Sequence, residues 1–93
     1  MLDLQTISFS DEKDAHLRAQ RGIGFKEIVT RIADGGLLDV LEHPSEKYPH
    51  QHIIVVDVEG YAYVVPCVME GNTVFLKTVF ASRTYTKLYL GKE

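Results

Sequence analysis

Apolar residues recur along this chain with two different periods, and the change from one to the other divides it. Phe25, Ile28, Val29 and Ile32 stand at i, i+3, i+4 and i+7, which is one face of an amphipathic helix. Upstream, Ser10 or Asp11 can cap a first helix, and Asp11, Glu12 and Asp14 suit the positive end of its dipole. That helix runs to about Arg21 with a narrow apolar face of Ala15, Leu17 and Ala19. Glu12/His16 and Asp14/Arg18 are spaced i, i+4 for pairing on the solvent side. Gly22-Ile23-Gly24 separates the two helices, and Asp34-Gly35-Gly36 ends the second, because glycine takes the left-handed conformation a helix terminus needs.

From Leu37 onward the pattern is that of strands. Leu37 to Glu42 predicts a short strand, and Pro44 to His50 a polar loop. His52 to Val58, Tyr61 to Met69 and Thr73 to Ala81 are β-branched and aromatic runs separated by Glu59-Gly60 and Glu70-Gly71-Asn72. Two tight turns make these runs an antiparallel meander. Ile53-Ile54-Val55-Val56 is apolar on both parities, so the sheet should be covered by helices on one face and by a partner on the other. Pro66 cannot donate to a ladder, which predicts a bulge there. The order α-α-β-β-β-β, with a short helical turn after Arg83, describes an α+β domain: two N-terminal helices packed on a four-stranded antiparallel sheet.

With 93 residues, 45% of them apolar and 25% charged, the chain has the makings of one ordered domain spanning 1–93. No apolar run reaches the roughly 20 residues of a bilayer span. The start, Met1-Leu2-Asp3-Leu4-Gln5, lacks the basic and apolar segments of a secretory signal, so the expected location is the cytoplasm, away from membranes. Cys67 is the single cysteine and lies inside Tyr63 to Met69, where it reads as a core side chain. His43, His50 and His52 have poor ligand spacing and no cysteine companion, so no metal site and no cofactor is expected. GxSxG, P-loop and GxGxxG patterns are absent from the sequence.

Charge is distributed unevenly. Residues 1–72 carry six Lys/Arg against twelve Asp/Glu, or −6; residues 73–93 carry four against one, or +3, within a total of −3. An acidic body with a basic end points to an anionic partner at that end. Thr73, Phe75, Lys77 and Val79 share one parity of the last run, and a lysine there belongs on an open face. Arg83, Tyr85, Lys87 and Tyr89 then interleave cation and aromatic, a composition suited to phosphate contact and base stacking. The same composition also describes an exposed terminal helix with packing tyrosines.

Three stretches carry a resemblance: Phe9-Ser10-Asp11-Glu12-Lys13 at the first helix start, Arg21-Gly22-Ile23-Gly24-Phe25-Lys26-Glu27-Ile28 between the helices, and Ala81-Ser82-Arg83 with Tyr89 beyond. On these the chain resembles the BrnT-like toxins of bacterial type II toxin–antitoxin systems, a branch of the RelE/ParE superfamily. The resemblance implies a RelE-like fold and a metal-independent endoribonuclease of the mRNA interferase type, acting on RNA that is free or on the ribosome. It further implies neutralisation by a cognate antitoxin, through which alone operator DNA would be touched. Lys77, Arg83, Tyr85 and His16 are the catalytic candidates that follow from it, with Lys77, Arg83, Lys87 and Tyr89 as the RNA-binding set. Tyr89, His50 and His52 are further acid/base candidates. Gln20-Arg21-Gly22 stands where the family helix carries Lys-His-Gly, and fewer basic residues line the sheet. The alternative expectation is therefore a non-catalytic protein-interaction domain of the same fold.

Overall fold

Ser10 and Gly22 set the limits of the first helix. In the structure, a computed structural model that describes residues 6–42 and 51–91, Ser10 Oγ accepts from the Lys13 N–H at 3.2 Å. Gly22, at φ 73°, closes the helix by donating to the Arg18 carbonyl. The elements are β1 (Thr6–Ser8), α1 (Asp11–Arg21), α2 (Phe25–Ala33), β2 (Leu37–Glu42), β3 (Gln51–Val58), β4 (Tyr61–Glu70), β5 (Thr73–Leu76), β6 (Phe80–Ala81) and α3 (Arg83–Leu90). The sheet order is β1-β5-β4-β3-β2, with β6 also on β4.

This is an α+β architecture, but richer than the expected two helices and four antiparallel strands. β1 adds a parallel strand beside β5, the last apolar run is divided into β5 and β6, and α3 is a full eight-residue helix. The expected polar loop over Pro44 to His50 lies outside the described residues, as do Met1 to Gln5. None of the helices described is long and apolar enough to cross a membrane.

Cross-strand partners share a face, so register assigns the two sides of the sheet. Ile54/Val65, Val56/Tyr63 and Cys67/Leu76 lie on one face, here the core face. Phe25, Ile28 and Ile32 of α2, with Leu17 of α1, bury against it. Cys67 is fully buried there, and that burial pushes its thiol up to about 11, as a core side chain requires.

On the far face, Val55, Ala62 and Val64 are buried too, and α3 packs there against β4. Thr86, 2% exposed, explains why the helix sits there: its Oγ1 accepts from the Ala62 N–H at 2.8 Å and donates to the Ser82 carbonyl at 2.7 Å. The expectation of a sheet face left wholly to a partner is corrected to one that α3 covers in part. Leu41, Ile53, Val68 and Phe75 share this face and remain half-exposed.

The bulge predicted at Pro66 is present, but on the neighbouring strand, between β5 and β6. Cys67 pairs with Leu76 and Val64 with Phe80, so two residues of β4 oppose three between β5 and β6. The Pro66 carbonyl accepts from the Lys77 N–H at 2.9 Å, while proline has no N–H to return the bond to Lys77. The ladder is interrupted where it lacks a donor, and one extra residue enters. Alternation breaks as a result. Val79, expected beside Lys77 and Phe75, instead turns to the core face and is fully buried, and Phe80 takes the far face opposite Val64.

Candidate nucleic-acid interface

Lys77 emerges from the bulge exposed to solvent, with its Nζ 5.6 Å from the Phe75 ring centroid. That distance is within the range of a cation–π contact, and it places the ammonium on the far face. Three residues past Lys77 stands Phe80, 43% exposed on the same face. The chain then passes through Ser82, whose hydroxyl accepts from the Tyr85 N–H at 3.1 Å and so caps α3. Arg83 therefore occupies the first turn of a helix lying over the far face, and Lys87 follows one turn later, both exposed.

The expected interleaving of cations and aromatics is resolved by the helix into two flanks. With Thr86 facing the sheet, residues 83 and 87 fall on one side of α3 and residues 85 and 89 on the other. Tyr85 and Tyr89 lie against one another, with ring centroids 5.8 Å apart. The Tyr89 hydroxyl donates to Asp39 Oδ2 of β2 at 2.5 Å, tying the tyrosine flank down across the sheet. This bond, with partial burial and the nearby carboxylate, raises the phenol from 10.0 to about 12. Tyr89 is thus a protonated strut at neutral pH, unsuited to acting as a base.

The sign of the shift gives a measurable consequence. A phenol held protonated by the fold adds stability below its unfolded value near 10.0, and that stability is lost as pH rises through about 12. Thermal melts of Tyr89→Phe should run less than about 1 kcal/mol below the parent at neutral pH, since the side chain is only half-buried. The gap should close above pH 10; a constant gap across that range would show that the bond to Asp39 contributes nothing.

His16 is exposed on α1, in the layer that covers the core face, and is therefore separated by the sheet from Lys77 and α3. The grouping of His16 with the tail residues is corrected accordingly. His52 lies on the core face opposite Cys67, its Nδ1 buried and without a hydrogen-bond partner, while its backbone carbonyl accepts from the Cys67 thiol at 3.6 Å. His43 and His50 fall outside the described residues. Among the described residues no three His, Cys, Asp or Glu side chains come together as metal ligands.

Two charged residues take roles that the sequence pattern did not assign to them. Arg21, at the last position of α1, donates through Nη1 to the Val79 carbonyl in the bulge. Asp14 is 4% exposed rather than on the solvent side: its Oδ1 accepts from the Lys26 N–H at 3.3 Å and its Oδ2 pairs with Arg18 at 3.3 Å. The buried carboxylate thus caps α2, whose own N-cap, Gly24, has no side chain to do so. Neither role was legible, because a charged residue at helical spacing reads as solvated unless its partner is known.

What fold and surface define is an α+β domain with a cationic, aromatic end built on a bulged strand and a capped helix. Comparison of the chain with protein families, with curated proteins and with solved structures finds no match in any of the three.

Proposed function

We propose that this chain is the toxin of a type II toxin–antitoxin pair, BrnT-like within the RelE/ParE superfamily, and that it acts on RNA through the far face of its sheet. The observation that carries the reading is the placement of Lys77, Arg83 and Lys87: all three are exposed, and residues 73–91 include no acidic side chain. The order of α1, α2 and the antiparallel strands β2 to β5 supports the reading, because the resemblance implies N-terminal helices on a four-stranded antiparallel sheet.

In this reading Lys77 and Arg83 offset the charge that grows on a phosphate when a neighbouring 2′-OH attacks it. Lys87 extends the contact along the backbone, and the exposed Phe80 and half-exposed Phe75 offer rings for stacking. Tyr85 is the remaining acid/base candidate on this face. His16 and Tyr89 are not, the first for its position and the second for its bond to Asp39.

The test is cleavage of RNA, free and on translating ribosomes, by the purified protein in excess EDTA, beside a Lys77→Ala/Arg83→Ala variant shown to be folded. The parent is expected to cleave and the variant to lose about a hundredfold or more in rate, as when charge-stabilising groups are removed. Equal cleavage by both would sink the site. The second reading, a non-catalytic interaction domain, is favoured by the half-exposed strip of Leu41, Ile53, Val68 and Phe75 beside α3. Tight binding of a protein partner with no RNA turnover by the parent would select it.

A further inference from the structure

The bulge opposite Pro66 is held from beneath as well as from the side. On the far face stands Lys77, whose N–H is bonded to the Pro66 carbonyl at 2.9 Å. Two residues later the chain turns Val79 into the core, and its carbonyl takes the Arg21 guanidinium from α1. A bulge carries one residue more than its partner strand, so the excess could be accommodated at Lys77, at Thr78 or nearer Phe80. Each choice aims Lys77 differently relative to Arg83, because one step along a strand exchanges faces. Arg21 bonds one end of the three-residue segment 77–79 and Pro66 the other. A guanidinium is well suited to this, since it is always charged and its donors are fixed in a rigid fork.

We propose that Arg21 is a positioning residue for the RNA face: it touches no phosphate itself, but by holding the Val79 carbonyl it keeps Lys77 aimed with Arg83 at one phosphate. The inference rests on the RNA reading given above. It also accounts for why an arginine stands at the end of α1, on the opposite layer from the surface it serves.

The experiment is a double-mutant cycle on binding of a fluorescein-labelled single-stranded oligouridylate, with Arg21→Met and Lys77→Ala singly and together. Arg21→Met is expected to weaken binding about fivefold in the parent and not at all in the Lys77→Ala background, because residues acting as a unit are non-additive. Arg21→Lys, which keeps a donor and the charge, should recover part of the loss. A merely structural role would weaken binding equally in both backgrounds, and that result overturns the proposal, as does no effect in either. If Arg21→Met melts below the assay temperature, Arg21→Gln takes its place in the cycle. Unfolding of both variants also overturns it, since Arg21 would then serve the whole fold. Should Lys77→Ala bind the oligonucleotide as tightly as the parent, the RNA face itself fails, an outcome separate from the failure of Arg21.

Discussion

Gly24→Ala is expected to destabilise the protein by about 3 kcal/mol, lowering its melting temperature by roughly 12 to 24 °C for a domain of this size. A Cβ at position 24 would stand 2.3 Å from Asp14 Oδ1 and 3.0 Å from the Asp14 backbone carbonyl. The carboxylate cannot simply swing aside, because it is buried, caps Lys26 and pairs with Arg18. Displacing it removes a helix cap, about 1 kcal/mol, and strips a buried charge of partners, about 1 to 3 kcal/mol more. Gly22→Ala is the contrast within the same triplet. Nothing lies within 4 Å of its Cβ position, so only the left-handed φ of 73° is penalised, by about 1 kcal/mol. Denaturant melts of the two variants check this directly. In an Asp14→Ala background the cost of Gly24→Ala should shrink to about 1 kcal/mol, and a full cost there would show that the carboxylate is not the obstacle.

That contrast shows what kind of information the sequence carries. The Phe25, Ile28, Val29, Ile32 stripe and the Glu59-Gly60 turn were legible because each is specified within a few residues. Phe25, Ile28 and Ile32 are buried, and Glu59 and Gly60 both take positive φ, 54° and 84°. β1 was not legible, since Thr6-Ile7-Ser8 has three residues and pairs with β5 far along the chain. The face of Val79 was misread for the same reason: simple alternation puts it with Lys77, and only the missing donor of Pro66 in the neighbouring strand reverses it. Proline announced an irregularity but not which of two strands would absorb it.

The candidate site divides along the same line. Exposure of Lys77, Arg83 and Lys87 followed from composition, because a cation among apolar residues has few places to go other than water. Their company did not. Helical periodicity separates Arg83 and Lys87 from Tyr85 and Tyr89, and the bond from Tyr89 to Asp39 spans fifty residues of sequence. The sheet likewise places His16 behind the surface it was expected to join. What the topology brings together instead is Arg21 with the bulge, a contact between the end of a helix and a strand carbonyl that no local pattern announces.

Salt dependence separates true phosphate contacts from incidental surface charge. Each phosphate of a single strand neutralised by a cation contributes about 0.7 to the slope of log affinity against log salt. If Lys77 and Arg83 share one phosphate and Lys87 meets a second, the triple alanine variant should bind an oligouridylate with a slope smaller by about 1.4. Its affinity at low salt should fall by about a hundredfold, and parent and variant should converge as salt rises. Phe80→Leu should behave differently: loss of a stacked base from this exposed ring costs about 1 to 3 kcal/mol at every salt concentration and leaves the slope unchanged. Fluorescence titrations across salt give both quantities. An unchanged slope in the triple variant would mean that these cations meet no phosphate, and the half-exposed apolar strip beside α3 would then be the surface on which this protein acts.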